Sequence, residues 1–291
     1  MKIIKPSVEF YGAVPTEYNA ALKFIEMAGR TCYKSEDKIT EDSAEGFVKK
    51  LIKAGHLAMV EHSNMVVRAE KPPVFYDDNL GVVGKYIQLF TDIEYVYAGG
   101  SLTAWFQMYN ELPEIFWPFL GVYGRMFDLP ARTRTGRGTG EWEVCPYDEI
   151  PKELHRYSAK FICDRGVSHE LVRHRPCSFA QESTRYVNYG GKDMEFIEPD
   201  GFEDWSQTQI GSFWHVCKTA EEHYNFQVST GLKPQQARAV LPNALKTEIV
   251  VTADAAEWKH LFKLRCAPAA HPDFRRLAVP LRDKFIEEGI L

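Results

Sequence analysis

The sequence predicts an α+β fold, a central antiparallel-rich sheet flanked by helices, on three observations. Segments with helical periodicity dominate the chain. The β-branched runs are short and irregularly spaced. Neither a βαβαβ rhythm nor a GxGxxG turn occurs, which argues against a doubly wound dinucleotide-binding fold. The 291 residues read as one domain, 1–291, with an insertion at about 70–150.

The elements follow in order. From Thr16, a candidate N-cap, to about Arg30, Leu22, Ile25 and Ala28 recur on one helical face. A second helix runs from Ser43 to Ala54, with Gly55 where a C-terminal cap glycine belongs. Asn64–Arg68 is strand-like and ends before Lys71-Pro72-Pro73. The insertion offers a strand near Lys85–Phe90, a helix over Leu102–Leu112 and a polar basic loop, Ala131–Gly140, expected to be mobile over Arg132–Arg137. Its start at Lys71 and its shift to Gly and aromatic residues mark it as peripheral to the chemistry. Trp105, Phe106, Phe116, Trp117 and Phe119 are too apolar to leave in water, so it is expected to pack on the surface of the assembly, edging a ligand entrance. Tyr157–Asp164 is a strand, Gly166–His174 follows, and Met194–Ile197 is a strand ended by Pro199. Helices are predicted over Trp205–Gly231 and Pro234–Val240, a strand over Thr247–Thr252, a helix capped by Asp254 running to Arg265, and a last helix after Pro272.

Hydrophobic residues at 45% suffice for a sizeable core, and the formal charge of −5 argues against a surface that coats nucleic acid. No apolar run approaches a bilayer span, and the first residues lack a signal-peptide core, so a cytoplasmic protein without a membrane partner is expected. The six cysteines lack CxxC or zinc-ribbon spacing and read as mostly buried thiols, with no metal site.

The densest chemistry is RHRPCSFAQESTRY, Arg173 to Tyr186. It holds three arginines, a histidine, two serines, a glutamine and a glutamate in fourteen residues. Guanidinium forks suit phosphate or carbonyl oxygens, and apolar Leu171, Val172 and Phe179 place part of the cluster at a pocket wall. His169 and His174 are five apart, about 500° around a helix at ~100° per residue, so they do not share a face as zinc-binding pairs do.

This stretch resembles the signature of flavin-dependent thymidylate synthases: Arg-His-Arg, seven residues, Ser, and an Arg two further on, here Arg173, His174, Arg175, Ser183 and Arg185. Gly55-His56-Leu-Ala58-Met-Val-Glu61-His62 resembles that family's upstream block. Arg238-Ala-Val-Leu-Pro242, Thr247–Val250 and Glu257–Arg265 resemble its C-terminal block. The similar parts cover roughly 1–68 and 150–280. Departures are Glu170 in place of a nucleotide-contacting Gln, Gln181 for Glu, Asp254 for Asn, Ala256 for Arg, and Ala270-His-Pro-Asp-Phe-Arg275 for Ala-Gln-x-Glu-Ile-Arg.

The resemblance implies reductive methylation of dUMP to dTMP, with methylenetetrahydrofolate as carbon donor, FAD as hydride and methylene relay, and NADPH as reductant. It implies a homotetramer whose sites draw on several subunits. Arg265 would polarise the uracil. Glu170, Gln181, Glu182, Ser183, Arg185, Arg238 and Arg265 would hold dUMP, the phosphate lying on Ser183 and Arg185. Cys32, His56, Ala58, Glu61, Arg173, His174, Arg175, Asp254 and His260 would hold FAD. Cys177 is read as a packed residue and not a nucleophile, and no partner at an activating spacing favours Ser183 as one. Two other classes stand beside this reading: a non-enzymatic nucleotide- or RNA-binding module using the Arg-His-Arg patch, and a metallohydrolase using His56, His62 and His174.

Overall fold

The computed structural model describes residues 1–70, 87–111 and 143–291. The expected loop at 131–140, and Phe116, Trp117 and Phe119, lie outside the described residues.

Among the described residues, three sheets and their helices make up the fold. The central sheet has the order β2 (Ser7–Ala13), β7 (Arg156–Asp164), β10 (Lys246–Asp254), β8 (Ser178–Gln181), every pair antiparallel. The second is β4 (Gln88–Thr91), β5 (Tyr95–Gly100), β3 (Met65–Glu70), β6 (Glu143–Val144), also antiparallel. A small parallel pair joins β1 (Lys2–Ile4) to β9 (Glu195–Ile197). The antiparallel-rich α+β expectation holds.

β7 and β10 form the spine because both faces are covered. Ala159, Phe161, Ile249, Val251 and Ala253 form one face, packed on α8 (Ala255–Arg265) and α9 (Pro272–Glu287) through Trp258, Phe262, Phe274 and Phe285. The other face meets α1 (Tyr18–Tyr33) and carries polar groups. On that face Lys160 and Glu248 pair at 2.5 Å, and the Thr252 hydroxyl donates to Ser158, whose own hydroxyl donates to the Val251 carbonyl.

α1 packs closely on α2 (Ser43–Lys53), and a Cβ placed on Gly29 would sit 2.7 Å from the Phe47 ring. Its N-cap is Glu17, without a side-chain bond, and not Thr16, which is buried. α1 ends at Lys34 in the left-handed region (φ 48°), a conformation rare without glycine. The Lys34 ammonium offsets this by pairing with Glu36 at 3.0 Å and Glu248 at 2.8 Å. α2 closes as expected: Gly55 takes φ 73°, its N–H reaches the Ile52 carbonyl, and His56 N–H reaches that of Leu51. α3 (Leu57–Val60) then leads into β3.

The described part of the insertion packs into the core and not on the surface, contrary to the packing expected from the sequence. α4 (Leu102–Glu111) drives Leu102, Trp105 and Met108 into the same core as Leu22, Ile25, Val48 and Val67. The reason is pairing: β5 runs the length of β3, Met65 opposite Gly100 through Glu70 opposite Tyr95, which delivers the chain at Ser101 beside α3, where Leu102 N–H reaches Ser63 and the Thr103 hydroxyl reaches the Leu57 carbonyl.

Among the described residues, the remaining α-helices are α5 (Arg165–Leu171), α6 (Gln207–Ser229), started by a capping box of Ser206 and Gln209, and α7 (Pro234–Ala237), followed by a 3-10 turn to Val240. No helix among the described residues is long and apolar enough to cross a membrane.

Candidate active site

α5 and β8 run side by side in opposite directions, and 172–177 joins them. Asp164 caps α5, accepting from Val167 N–H at 2.7 Å. Halfway along, Gln181 Nε2 donates to Ser168 at 2.9 Å and to Thr247 at 3.3 Å. The Arg-His-Arg segment is thereby a tight turn at one end of this unit, with Ser183 and Arg185 at the other.

At the turn, His174 N–H reaches the Leu171 carbonyl and Cys177 N–H reaches that of His174. His174 is buried, while Arg173 and Arg175 are exposed on either side. Arg265, the last residue of α8, lies against this turn. Its Nε donates to His174 Nε2 at 3.0 Å, one terminal nitrogen donates to the Glu170 carbonyl at 3.2 Å, and the other pairs with the Glu170 carboxylate. Arginine only donates, so His174 accepts at Nε2 and carries its proton on Nδ1. Burial, then the charge of Arg265 and the nearby His260, lower the His174 pKa to about 4 against the pull of Glu170. The His260 ring stands edge-on to that of His174, with centroids 6.2 Å apart.

At the opposite end, Ser183 N–H is held by the Cys32 carbonyl at 2.9 Å, and the Ser183 hydroxyl accepts from Arg185 N–H at 3.3 Å. Arg238 donates to Thr184 at 3.0 Å, and Arg185 Nε to Gln235 at 3.3 Å. Arg165, which sequence reading passed over, reaches the Glu182 carbonyl at 3.4 Å and Thr247 at 3.3 Å. Burial lowers its pKa, and neighbouring Arg238 adds to this. Three guanidiniums therefore bear on residues 182–185. His56 belongs here as well. Its Nδ1 is hydrogen-bonded to the Tyr33 hydroxyl at 2.6 Å, and Tyr33 packs on Tyr186, over which Arg185 lies.

Glu182, expected at the nucleotide, does not present its side chain at this end of the unit. Alternation along the strand turns its side chain inward. There it is 2% exposed, accepts from the Tyr189 hydroxyl at 2.8 Å and faces Lys246 at 3.4 Å. Lys246 also bonds Glu248, which burial would protonate but which Lys160, Lys246 and Lys34 together hold down at about 2.

A third group surrounds a polar cavity of about 270 Å³ lined by Glu61, Asn64, Gln88, Arg156, Ser178 and Asp254, among others. Arg156 is its hub, donating to the Glu61 carbonyl at 2.6 Å, the Ser63 carbonyl at 2.9 Å and Ser178 at 2.9 Å. Burial raises the Glu61 pKa, opposed by Ser178 and Arg156. Asp254 caps α8 through Glu257 N–H at 2.8 Å and accepts from Gln88 Nε2 at 2.6 Å. Ala58 is exposed on α3.

The residues expected to hold FAD thus fall into three places within one chain: Arg173, His174, Arg175 and His260 at the turn, Glu61 and Asp254 at the cavity, Cys32 and His56 beside Ser183. Glu170 and Arg265, expected at the nucleotide, pair with each other at the turn. His56, His62 and His174 do not meet. Each has a different partner, and among the described residues no three metal-ligating side chains gather.

His62 is fully buried, not a surface histidine. The Thr252 proton goes to Ser158, so His62 Nδ1–H donates to Thr252 at 2.8 Å. Burial, then Arg156, lowers its pKa to about 3. His62 and His174 are thus neutral in the fold, with folded values below the ordinary 6.5. The unfolded chain binds more protons between those values, so their contribution is present above pH 6.5 and is lost as the pH falls, through about 4 for His174 and about 3 for His62. Urea midpoints are expected to drop steadily from pH 7 to 5, and less steeply in His62→Gln. An identical slope in that variant would remove His62 as the cause.

Residues 16–79 and 149–288 match the model of a family described as thymidylate synthase complementing protein. A flavin-dependent thymidylate synthase from Geobacter sulfurreducens is 38% identical over 117 residues, 40% of this chain and 50% of the relative. Its counterpart from Pyrococcus horikoshii is 35% identical over 118 residues, 40% of this chain and 48% of the relative. The chain spans about half the length of the curated relatives it matches. A solved structure titled as a UMP/dUMP methylase PolB from Streptomyces cacaoi bound with 5-Br dUMP covers 99% of this chain and 93% of its own, at 15% identity and a TM-score of 0.44.

Proposed function

The chain belongs to the thymidylate synthase complementing protein family, and from that premise we propose that it is a cytoplasmic, flavin-dependent thymidylate synthase that methylates dUMP to dTMP. Methylenetetrahydrofolate would be the carbon donor, NADPH the reductant and a homotetramer the working form. The observation that carries this reading is the α5–β8 unit, which sets an exposed pair of arginines around a neutral histidine at one end and a Ser-Arg phosphate cradle at the other.

The donor set suits FAD. Arg173 and Arg175 offer exposed guanidiniums to a pyrophosphate, and His174 is fixed in one tautomer by Arg265. Bound FAD would supply hydride when reduced and carry the one-carbon unit. Glu61, Asp254, His260, His56, Cys32 and Ala58 complete the assigned flavin residues. Ser183, Arg185 and Arg238, joined by Arg165, bind the nucleotide phosphate, and Gln181 stiffens the strand beneath them.

Arg265 keeps two of its five N–H donors after serving His174 and Glu170. Directed at the pyrimidine carbonyls, they stabilise the negative charge that C5 needs to become nucleophilic. The turn and the phosphate cradle lie at opposite ends of four-residue β8, so a complete site joins one subunit's cradle to another's Arg265. Val216 and Phe226, at 54% and 64% exposure, lie about 80° apart around α6 at ~100° per residue and offer an apolar surface suited to such assembly.

Tritium release from [5-³H]dUMP, with FAD, NADPH and methylenetetrahydrofolate present, tests the activity. No release from a flavin-loaded chain would favour the non-enzymatic nucleotide-binding module.

Cys177→Ser should stay within about threefold of the parent rate, because burial above all pushes the Cys177 thiol up to about 12 and a protonated thiol is a poor nucleophile. Loss of turnover with folding and FAD binding intact would place a thiolate in the chemistry.

A further inference from the structure

The family match breaks at 79 and resumes at 149, yet residues from inside that gap line the polar cavity beside Glu61 and Asp254. β4 brings Gln88, whose amide donates to Asp254 Oδ2 at 2.6 Å. The β5–α4 junction brings Ser101, whose hydroxyl accepts from Ala104 N–H and retains its own proton to donate, and α4 brings Gln107.

On the facing wall, Asn64 is 1% exposed and lines the cavity. Its Nδ2 donates to the Leu154 carbonyl at 3.0 Å, while its Oδ1 is buried without a hydrogen-bond partner. A buried carbonyl acceptor left unpaired is costly and is ordinarily matched by a donor. Glu61 adds a second acceptor, a carboxylate with two oxygens that Ser178 serves, while Arg156 beside it spends its donors on backbone carbonyls and Ser178. Acceptors therefore outnumber free donors on the wall around Asn64. The volume, about 270 Å³, falls just short of the roughly 300–1,000 Å³ usual for a whole ligand and suits one ring system of a larger molecule.

We propose that the insertion completes this cavity, and that Asn64 Oδ1 and Glu61, with Gln88, Ser101 and Gln107 opposite, grip the exocyclic-amine edge of an aromatic ring. Adenine, in FAD, and pterin, in the folate, share that edge: an amino group donates to Asn64 and Glu61, and ring nitrogens accept from the amides and Ser101. Gln88 also positions Asp254, so the segment unmatched by the family acts on a residue inside the matched part. The proposal rests on the flavin and folate reading above.

The test is the full-length Gln88→Ala/Gln107→Ala chain beside the parent. Affinities for FAD, tetrahydrofolate and dUMP are measured by titration, and melting temperatures with and without each ligand. Loss of two hydrogen bonds should weaken one ring-bearing ligand roughly tenfold or more. The melting temperature without ligand should stay put, the ligand-induced rise should shrink, and dUMP affinity should hold. Weakened FAD alone identifies adenine, and weakened tetrahydrofolate alone identifies pterin. All three affinities within twofold of the parent, or all lost together with a lower unliganded melting temperature, overturns the proposal while leaving the synthase reading intact. A parent chain that binds neither FAD nor tetrahydrofolate overturns both.

Discussion

Arg265→Ala is expected to retain FAD and lose dUMP methylation by roughly 10²-fold or more, the usual loss when a preorganised donor to a developing oxyanion is removed. The guanidinium is locked on three sides by His174 Nε2 and by the carbonyl and carboxylate of Glu170. It is also seated over the Phe274 ring at 5.0 Å. Such seating fixes where its remaining donors point, so the loss should fall on kcat more than on KM. Arg265→Lys keeps the charge but not the fork, and should recover only part of the rate. A second signature comes from His174. Burial is the first cause of its low pKa and Arg265 the second, so in Arg265→Ala the imidazole should titrate closer to its ordinary value, read by NMR of the ring. Near-normal turnover would remove Arg265 from the chemistry. Loss of flavin alongside turnover would recast it as a support for His174.

The parts of this site legible in the sequence were those whose chemistry is dense along the chain. Arg173 to Tyr186 stands out because five side chains that carry or can carry charge, Arg173, His174, Arg175, Glu182 and Arg185, crowd into fourteen residues, and β8 is built from that stretch. The two long central strands and the helix capped by Asp254 were equally visible, since apolar runs and cap residues are local signals. Arg156 and Arg165 were missed for the opposite reason. Each is a lone cation at a strand or helix start, and its partners arrive from segments far along the chain, as when Arg156 binds the Glu61 and Ser63 carbonyls. β8 was hidden because polar Ser178 and Gln181 break up its short apolar pattern, although Ala180 is fully buried. β2 bends at a bulge between Phe10 and Gly12, where φ is 82°, and β1 pairs with residues 195–197. Such registers are set by tertiary packing and leave no local pattern.

The insertion shows where local reading succeeds and then misleads. Its aromatic residues do demand burial, but a shift in composition cannot tell whether a segment buries them on a neighbouring surface or within the common core. Trp105 decides between these. It is fully buried, its indole N–H donates to the Met65 carbonyl at 3.1 Å, and it shares a cluster with Leu22, Ile25, Val48 and Met59 from the family-matched part. Trp105→Ala should therefore destabilise the whole chain by about 3–5 kcal/mol, through the cavity it leaves and the carbonyl it strips of a donor. The loss should appear in a single urea transition, because the same core holds α1, α2 and α4 together. Ile93→Ser, in the same insertion but 94% exposed in the β4–β5 turn, should change stability by no more than about 0.5 kcal/mol. The pair separates a structural wall from an appended layer. If Trp105→Ala leaves the main transition where it was and melts only a small early phase, the segment folds on the chain and not into it, and the cavity wall carrying Gln88 would have no rigid support.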